Sequence, residues 1–334
     1  MRRAFLTIFA VAMVAITASS QVNTAEREPV APAFLRPGDT IAVLSLSSIP
    51  KTTVIERGSA ALREWGFVVK EGRHARDQWR SFAGTPEARR DDLLAALRDP
   101  SVKAIISTRG GYGSANVLAL IPVDTLRKYP KWIIGYSDIT GYLSAMTRAG
   151  HQSIHANMLG ALADSGPYSE IALYLRDLLL GERPSYIVPG NKYNQEGTAT
   201  GIVVGGNMSV YGDLAGSPYD FMDPAFTTGK DIIIFIEDVG EPFAKVDRML
   251  QLLRLRGILS SVKGVIVGRF TDYQPARGYS DMNEMLSSYL SQYDIPVCYD
   301  FPVGHDEQWN YPMIVGGKAT LNVTRDKTTL KFLK

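Results

Sequence analysis

Ser137 is the residue whose surroundings best fit covalent chemistry. It lies in KWIIGYSDITGYLSAM (131–146), between an apolar run and a helical pattern. Serine and aspartate are favoured helix N-caps, so locally Ser137 and Asp138 could simply begin a helix. A strand-to-helix turn that exposes a serine is also a nucleophile elbow, in which the N–H of the next residue forms half of an oxyanion hole. Ile139 replaces the last glycine of the usual G-x-S-x-G, and both roles stay open.

A nucleophilic serine needs a base, and the base needs an orienting group. The four histidines are His74, His151, His155 and His305. His74 lies in a charged stretch and is expected at the surface. The i, i+4 spacing of His151 and His155 could suit a metal pair, but their segment is strand-like and has no adjacent acid, so we predict no metal site. His305 follows a buried strand, where a loop can carry it into a site.

Two further polar stretches follow apolar strands. Glu237 and Asp238 end such a strand, where an unpaired carboxylate costs free energy, so one of them could orient an imidazole. The alternative is that Asp238 or Glu241 caps the next helix. The stretch STRGGYGSANVL (107–118) has glycines that can present N–H groups to an anion. It lacks both the Walker lysine and G-x-G-x-x-G, which favours a tight turn over a nucleotide site.

Strands and helices must bring these stretches together. Apolar runs at 39–46, 102–108 and 131–135 predict buried strands. Residues 54–66 and 85–100 predict intervening helices, the second with Thr85 as its cap and Pro86 in its first turn. Such alternation indicates a parallel sheet covered on both faces, with ligands at the carboxyl ends of its strands. From about residue 180 the pattern predicts a second, mixed α/β domain.

The composition is that of a globular protein, with 334 residues, 45% of them hydrophobic and 21% charged. Residues 1–20 combine a basic start, an apolar run too short for a membrane span and small residues at the end, which predicts a signal peptide. We therefore expect an exported protein, periplasmic or secreted, with no stable membrane anchor. Loss of Arg2 and Arg3 lowers the formal net charge from +2 to zero, which disfavours nucleic acid as a partner. The single cysteine, Cys298, rules out an internal disulfide.

Together these stretches resemble the LD-carboxypeptidases, a serine peptidase family that includes the microcin C immunity peptidases. The likeness covers RPGDTIAVLSLSS (36–48), FAGTPEARRDDLLAALRDPSVKAIISTRGGYGS (82–114), IIGYSDIT (133–140), GGNMSVYGDLAGSPY (205–219), IFIEDVGEPFAKVDRML (234–250) and FPVGHDEQWNYPMIVGG (301–317). One departure is Ala156-Asn157, where the family often has Gly-Pro after the histidine; this bears on substrate preference. The export signal is another, since well-known members act in the cytoplasm.

The resemblance implies an α/β fold with a flavodoxin-like, parallel-sheet N-terminal domain and a smaller mixed α/β C-terminal domain. We accordingly divide the chain into a signal peptide (1–20), a lead-in (21–37), a nucleophile domain (38–165) and a C-terminal domain (180–334) that carries the glutamate and the histidine. Family members are commonly homodimers, which implies the same here.

The resemblance also implies a triad of Ser137, Glu237 and His305, with Glu237 rather than Asp238 orienting the histidine. The amides of Asp138 and Gly111 would form the oxyanion hole. Arg109 and Asn207 are candidates, on position alone, for binding the free carboxylate of the substrate.

The implied reaction is hydrolysis of the L,D-peptide bond of a murein tetrapeptide, which releases terminal D-alanine without a metal or cofactor. The third substrate residue could be diaminopimelate or lysine. The alternatives are a peptidase that inactivates peptidyl-nucleotide antibiotics, and an exported peptidoglycan-binding protein without catalytic activity.

Overall fold

The fold is taken from a computed structural model that describes residues 27–274 and 278–334. The predicted signal peptide and the first residues of the lead-in, up to 26, lie outside the described residues. The strands are β1 (Thr40–Leu44), β2 (Val68–Glu71), β3 (Val102–Ser107), β4 (Trp132–Gly135), β5 (Ser153–His155), β6 (Ser185–Pro189), β7 (Gly197–Asn207), β8 (Ile232–Val239), β9 (Gly264–Thr271), β10 (Val297–Cys298), β11 (Met313–Val315), β12 (Gly317–Val323) and β13 (Lys327–Phe332).

The described helices all lie between β1 and β10 along the chain, and β7 follows β6 without a helix between them. They are α1 (Thr52–Glu64), α2 (Pro86–Arg98), α3 (Ser114–Leu118), α4 (Val123–Leu126), α5 (Thr140–Arg148), α6 (Leu159–Ser165), α7 (Glu170–Leu179), α8 (Met208–Leu214), α9 (Pro224–Thr227), α10 (Phe243–Leu255), α11 (Ile258–Ser261) and α12 (Met282–Leu290). Helix α2 begins as predicted: the Thr85 side chain accepts the Ala88 N–H at 3.2 Å, and Pro86 occupies the first turn, where its missing N–H costs nothing.

The first sheet has six strands in the order β11-β5-β4-β3-β1-β2. Strands β1 to β5 pair in parallel, in the strand order of flavodoxin. Their central residues, such as Ile41, Ile105 and Ile133, are almost fully buried, because helices cover both faces of the sheet. The predicted flavodoxin-like sheet is thus confirmed.

The edge strand of this sheet comes from far along the chain. Strand β11 pairs antiparallel with β5, so that Met313 lies opposite His155. The segment assigned from sequence to the C-terminal domain, 180–334, therefore supplies one strand of the first sheet. A strand of three residues carries too little periodicity to reveal its partner.

The second sheet has seven strands in the order β10-β9-β8-β7-β12-β13-β6. Strands β7 to β10 are parallel, whereas β12, β13 and β6 continue the sheet antiparallel, so the predicted mixed character is confirmed. One hydrophobic core joins the two sheets, with Ile133 of the first and Phe235 of the second in the same buried cluster. Within 27–274 and 278–334, no helix is both long and apolar enough to cross a membrane.

Candidate active site

Ser137 occupies a sharp turn directly after β4. Its φ is +60°, in the left-handed region that few residues other than glycine adopt. A single 3₁₀ turn, Ser137–Ile139, leads into α5, and neither helix has a side-chain cap at its N-terminus. The alternative in which Ser137 or Asp138 caps the helix that follows is therefore wrong. A strained serine between a strand and a helix is the geometry of a nucleophile elbow.

The Asp138 carboxylate is buried and binds a different helix. Its two oxygens accept the backbone N–H of Ser114 at 2.8 Å and the Ser114 hydroxyl at 2.9 Å. The hydroxyl of Ser47, after β1, donates to the same carboxylate. Asp138 thus caps α3, the helix that follows the glycine-rich turn, defined as residues 110–113. This contact ties the Ser137 turn to the glycine-rich turn.

His305 is held by one of the two carboxylates at the end of β8. Its Nδ1 lies 2.7 Å from Oε2 of Glu237, whose side chain is fully buried. Burial lowers the pKa of His305, but the charge of Glu237 and its hydrogen bond outweigh that effect and raise the pKa above its usual value. The other ring nitrogen, Nε2, is buried without a hydrogen-bond partner among the described residues. Nε2 is therefore the nitrogen that can exchange a proton with a reacting group.

Asp238 has a different environment. Its carboxylate accepts Nδ2 of Asn207 and the N–H of Ser209, both at 2.9 Å. Burial, followed by the charge of neighbouring Glu237, raises the pKa of Asp238 to about 6. Of the two candidate orienting groups, Glu237 is the one that contacts the imidazole.

A cavity of about 450 Å³ joins groups from both halves of the chain. Ser137 and His305 both line it, and the ring of Tyr136 lies 5.1 Å from the ring of His305. Its other walls include Lys51, Arg109, Gly110, Gly111, Met158, Asp164 and Glu307. The structure therefore brings Ser137 and the His305–Glu237 pair to one site.

The glycine-rich turn passes close to Ser137. A Cβ added to Gly110 would lie 2.9 Å from the Cβ of Ser137, so no larger residue fits there without a shift. Gly111 has φ +121°, and a Cβ there would lie 2.0 Å from Oγ of Ser48. Neither the Gly111 N–H nor the Asp138 N–H donates to another residue in the described part of the chain. Both amides are thus available to a bound oxyanion.

The two candidates for binding substrate lie in different places. Arg109 is exposed at the cavity wall, with Nη1 3.4 Å from the carbonyl oxygen of Ile49. Asn207 is buried and does not line the cavity: Oδ1 accepts the Val210 N–H and caps α8, while Nδ2 binds Asp238. We therefore correct the assignment of Asn207, which positions Asp238 and α8 instead of facing a ligand.

The remaining histidines are apart from one another. His74 pairs with Asp77 at 2.7 Å near the surface, and Nε2 of His151 lies 3.1 Å from the carbonyl oxygen of Arg127. His155 is fully buried, and burial lowers its pKa to about 4, so it is neutral at pH 7. In 27–274 and 278–334, no group of histidine, cysteine and acidic side chains is arranged to hold a metal.

Sequence reasoning missed two contributors to the cavity. The Tyr136 hydroxyl donates to Oε1 of Glu307 at 3.1 Å, which links the residue before Ser137 to the loop that carries His305. Burial raises the pKa of Tyr136 well above its usual value, so it remains a donor at neutral pH. The adjacency of Tyr136 to Ser137 was the available signal, whereas nothing local marks Glu307.

Comparison with known proteins gives matches across most of the chain. The LD-carboxypeptidase N-terminal domain matches residues 41–156, and the LD-carboxypeptidase C-terminal domain matches residues 200–321. A probable murein peptide carboxypeptidase of Bacillus subtilis is 31% identical, and the alignment covers 90% of this chain and 93% of the Bacillus protein. The murein tetrapeptide carboxypeptidase of Pseudomonas aeruginosa is 31% identical over 81% of this chain and 90% of its own.

The fold is similar to a solved structure as well. The muramoyltetrapeptide carboxypeptidase from Oxalobacter formigenes superposes with a TM-score of 0.78 at 26% identity. The superposition covers 88% of this chain and 99% of the other.

Proposed function

This chain belongs to the LD-carboxypeptidase family, and we propose that it is a serine carboxypeptidase that hydrolyses the L,D-peptide bond of murein tetrapeptides and releases terminal D-alanine. The observation that carries the proposal is the shared cavity of Ser137 and His305, in which Glu237 holds the far side of the imidazole. The substrate class is supported by relatives named for murein peptides. The reaction needs no cofactor.

In the proposed reaction, Nε2 of His305 takes the hydroxyl proton as Oγ of Ser137 attacks the carbonyl carbon that precedes D-alanine. Glu237 keeps Nδ1 protonated and stabilises the imidazolium that forms. His305 then gives the proton to the leaving amine of D-alanine, and the C–N bond breaks. Nε2 then takes a proton from a water, whose oxygen attacks the acyl carbon. The bond between that carbon and Oγ of Ser137 breaks, and His305 returns the proton to Oγ.

In the proposed transition state, negative charge develops on the carbonyl oxygen of the substrate, and two backbone N–H groups stabilise it by hydrogen bonds. We assign these to the N–H groups of Asp138 and Gly111, because both are free of other partners. Loss of one such donor costs about 3–4 kcal/mol of transition-state stabilisation. Arg109, an exposed cation on the cavity wall, is proposed to bind the carboxylate of D-alanine, for which a guanidinium is well suited.

The test is incubation of purified protein with murein tetrapeptide, followed by mass spectrometry. The wild type should produce tripeptide and free D-alanine, and Ser137→Ala should produce neither above background. Ser288→Ala, on the exposed side of α12, is the matched control and should retain full activity. Intact tetrapeptide with the wild type would overturn the proposal and favour either cleavage of peptidyl-nucleotides or binding without cleavage.

We also propose that the protein is exported and forms a homodimer. The support for export is the signal-like composition of residues 1–20, and the support for a dimer is the resemblance to family members. Fractionation of cells that express the full chain should place the protein outside the cytoplasm, with an N-terminus at Gln21. Light scattering of the purified protein should give twice the chain mass; a monomer would contradict the dimer.

A further inference from the structure

We propose that Asn157 and Asn310 form a positioning bridge, a pair of buried amides that fixes His305 opposite Ser137. Asn157 follows β5 in the first sheet, and Asn310 precedes β11. Neither touches the reacting atoms, so both act through the histidine. The inference rests on the proposed function, of which it identifies two further determinants.

The bridge is a chain of three hydrogen bonds. The Gly304 N–H donates to Oδ1 of Asn310 at 3.1 Å, and Nδ2 of Asn310 donates to Oδ1 of Asn157 at 3.0 Å. Nδ2 of Asn157 then donates to the carbonyl oxygen of Glu307 at 2.7 Å. The bonded backbone groups lie one residue before and two residues after His305. The bridge therefore fixes the backbone on both sides of the imidazole.

Because these hydrogen bonds are buried, breaking them is costly, and they restrict the position of the loop. Asn310 is fully buried and Asn157 is 5% exposed, so water cannot replace a lost partner. A buried amide that loses its partner costs about 1–3 kcal/mol, and a shift of the loop would break several bonds together. The side chains thus favour one placement of residues 304–307.

The chain topology explains why His305 needs such a bridge. The His305 loop, residues 299–312, leaves β10 in the second sheet and enters β11 in the first. Ser137 follows β4 of the first sheet, whereas Glu237 lies near the end of β8 in the second. His305 must therefore be positioned correctly relative to groups carried by both sheets, Ser137 on one side and Glu237 on the other. Asn157, anchored beside β5, connects the loop directly to the sheet that carries Ser137.

The same loop has other contacts, and two of them involve side chains next to His305. Tyr136 donates to the Glu307 side chain, and Nη1 of Arg269, at the end of β9, lies 2.5 Å from Oδ2 of Asp306. Arg269 and Asp306 are partly exposed, so their ion pair contributes less than the buried amides. The amide bridge thus joins the loop to the first sheet through two buried side chains and fixes the backbone on both sides of His305.

The experiment compares Asn157→Ala, Asn310→Ala and the double variant by steady-state kinetics with murein tetrapeptide. Each single variant should lose about 10²-fold in kcat, since misplacing a catalytic group by roughly 1 Å costs that much, while KM changes little. The double variant should lose no more than the worse single variant, because both changes break one unit. Asn157→Asp, which keeps the side-chain volume, replaces Asn157→Ala if the latter does not fold.

A second readout is independent of substrate. NMR titration of the His305 imidazole should give a lower pKa in the variants, because a displaced ring loses the charge of Glu237 that raises it. Gln195→Ala is the matched control. Nε2 of Gln195 also donates to two backbone groups, the carbonyl oxygens of Tyr293 and Ile295, but neither lies in the His305 loop, and Gln195 does not line the cavity. It should lose stability and retain both kcat and the His305 pKa.

Folded Asn157 and Asn310 variants with wild-type kcat and an unchanged His305 pKa would overturn the bridge. If the wild type does not cleave tetrapeptide, the proposed function fails, and the NMR titration still decides the position of His305. The two failures are therefore distinguishable.

Discussion

At the scale of single residues, the proposed chemistry depends on how Glu237 and His305 are paired. The carboxylate is fully buried and contacts only one of the two ring nitrogens, at 2.7 Å. That contact fixes the tautomer and leaves the second nitrogen for the substrate. Asp238, one residue along, binds Asn207 and Ser209 instead, because alternate residues of a strand point to opposite faces.

The pH dependence of kcat/KM should report the His305 pKa. In the proposed reaction His305 acts as a base only when neutral, so activity should rise with pH through its folded pKa, which lies above the usual 6.5. Glu237→Gln removes the charge that raises the pKa and leaves the burial that lowers it. In this variant kcat/KM should therefore rise at a lower pH than in the wild type. The maximum value of kcat/KM should fall on the order of 10⁴-fold.

The control for this titration is Glu87→Gln, an exposed acid on α2 outside the cavity. This variant should leave unchanged both the pH at which kcat/KM rises and its maximum value. If kcat/KM of Glu237→Gln rose at the same pH as in the wild type, Glu237 would not set the His305 pKa.

At the scale of elements, three segments are locked together around the serine. Strand β4 ends in the Ser137 turn, the glycine-rich turn crosses in front of it, and Asp138 holds α3 behind that turn. The aspartate therefore does more than supply a backbone amide. It keeps the two amides proposed for the oxyanion hole in a fixed relation.

Gly110→Ala tests this close approach. The added methyl would lie 2.9 Å from Cβ and 3.0 Å from Oγ of Ser137, closer than side-chain atoms pack. Either the glycine-rich turn or Ser137 must move, so kcat should fall about 10²-fold, with a stability loss of about 1–3 kcal/mol from overpacking. Kinetics and denaturant unfolding would measure the two effects.

Gly212→Ala, in α8, is the matched control, since an added Cβ there meets nothing within 4 Å. Alanine is the better helix former, so this variant should be as stable as the wild type or more so, by up to about 1 kcal/mol. Full activity in Gly110→Ala would refute the tight packing against Ser137.

At the scale of the whole molecule, the two sheets depend on each other. Strand β11 closes the edge of the first sheet although it lies between strands of the second along the chain. The largest buried cluster includes apolar residues of both sheets, among them Ile133, Val203, Phe235 and Leu330. Separating the sheets would expose that cluster and leave β5 with an unpaired edge.

Thermal unfolding should therefore be a single cooperative transition. The shared core and the β11–β5 pairing make partial unfolding of either half costly, so both should melt together. In scanning calorimetry, the calorimetric and van't Hoff enthalpies should agree. Two resolved transitions, or a van't Hoff enthalpy near half the calorimetric value, would contradict this coupling.

The sequence by itself determined the local features of the fold. The cap and proline of α2, the apolar strands of the first sheet and the turn at Ser137 depend on residues close together in the chain. Backbone propensities and side-chain patterns act over that range, so they can be deduced without a structure. Resemblance to a family then related Ser137 to residues far along the chain.

Only the tertiary structure decided which distant groups meet. In the structure, Asp138 caps α3 rather than its own helix, and Asn207 binds Asp238 instead of lining the cavity. Strand β11 lies in the first sheet. The tertiary structure also joined Asn157 to Asn310, more than a hundred residues away, around His305. The choice of such partners is made by burial, because a polar group removed from water takes whichever partner the folded core brings within reach, and no local pattern encodes that partner.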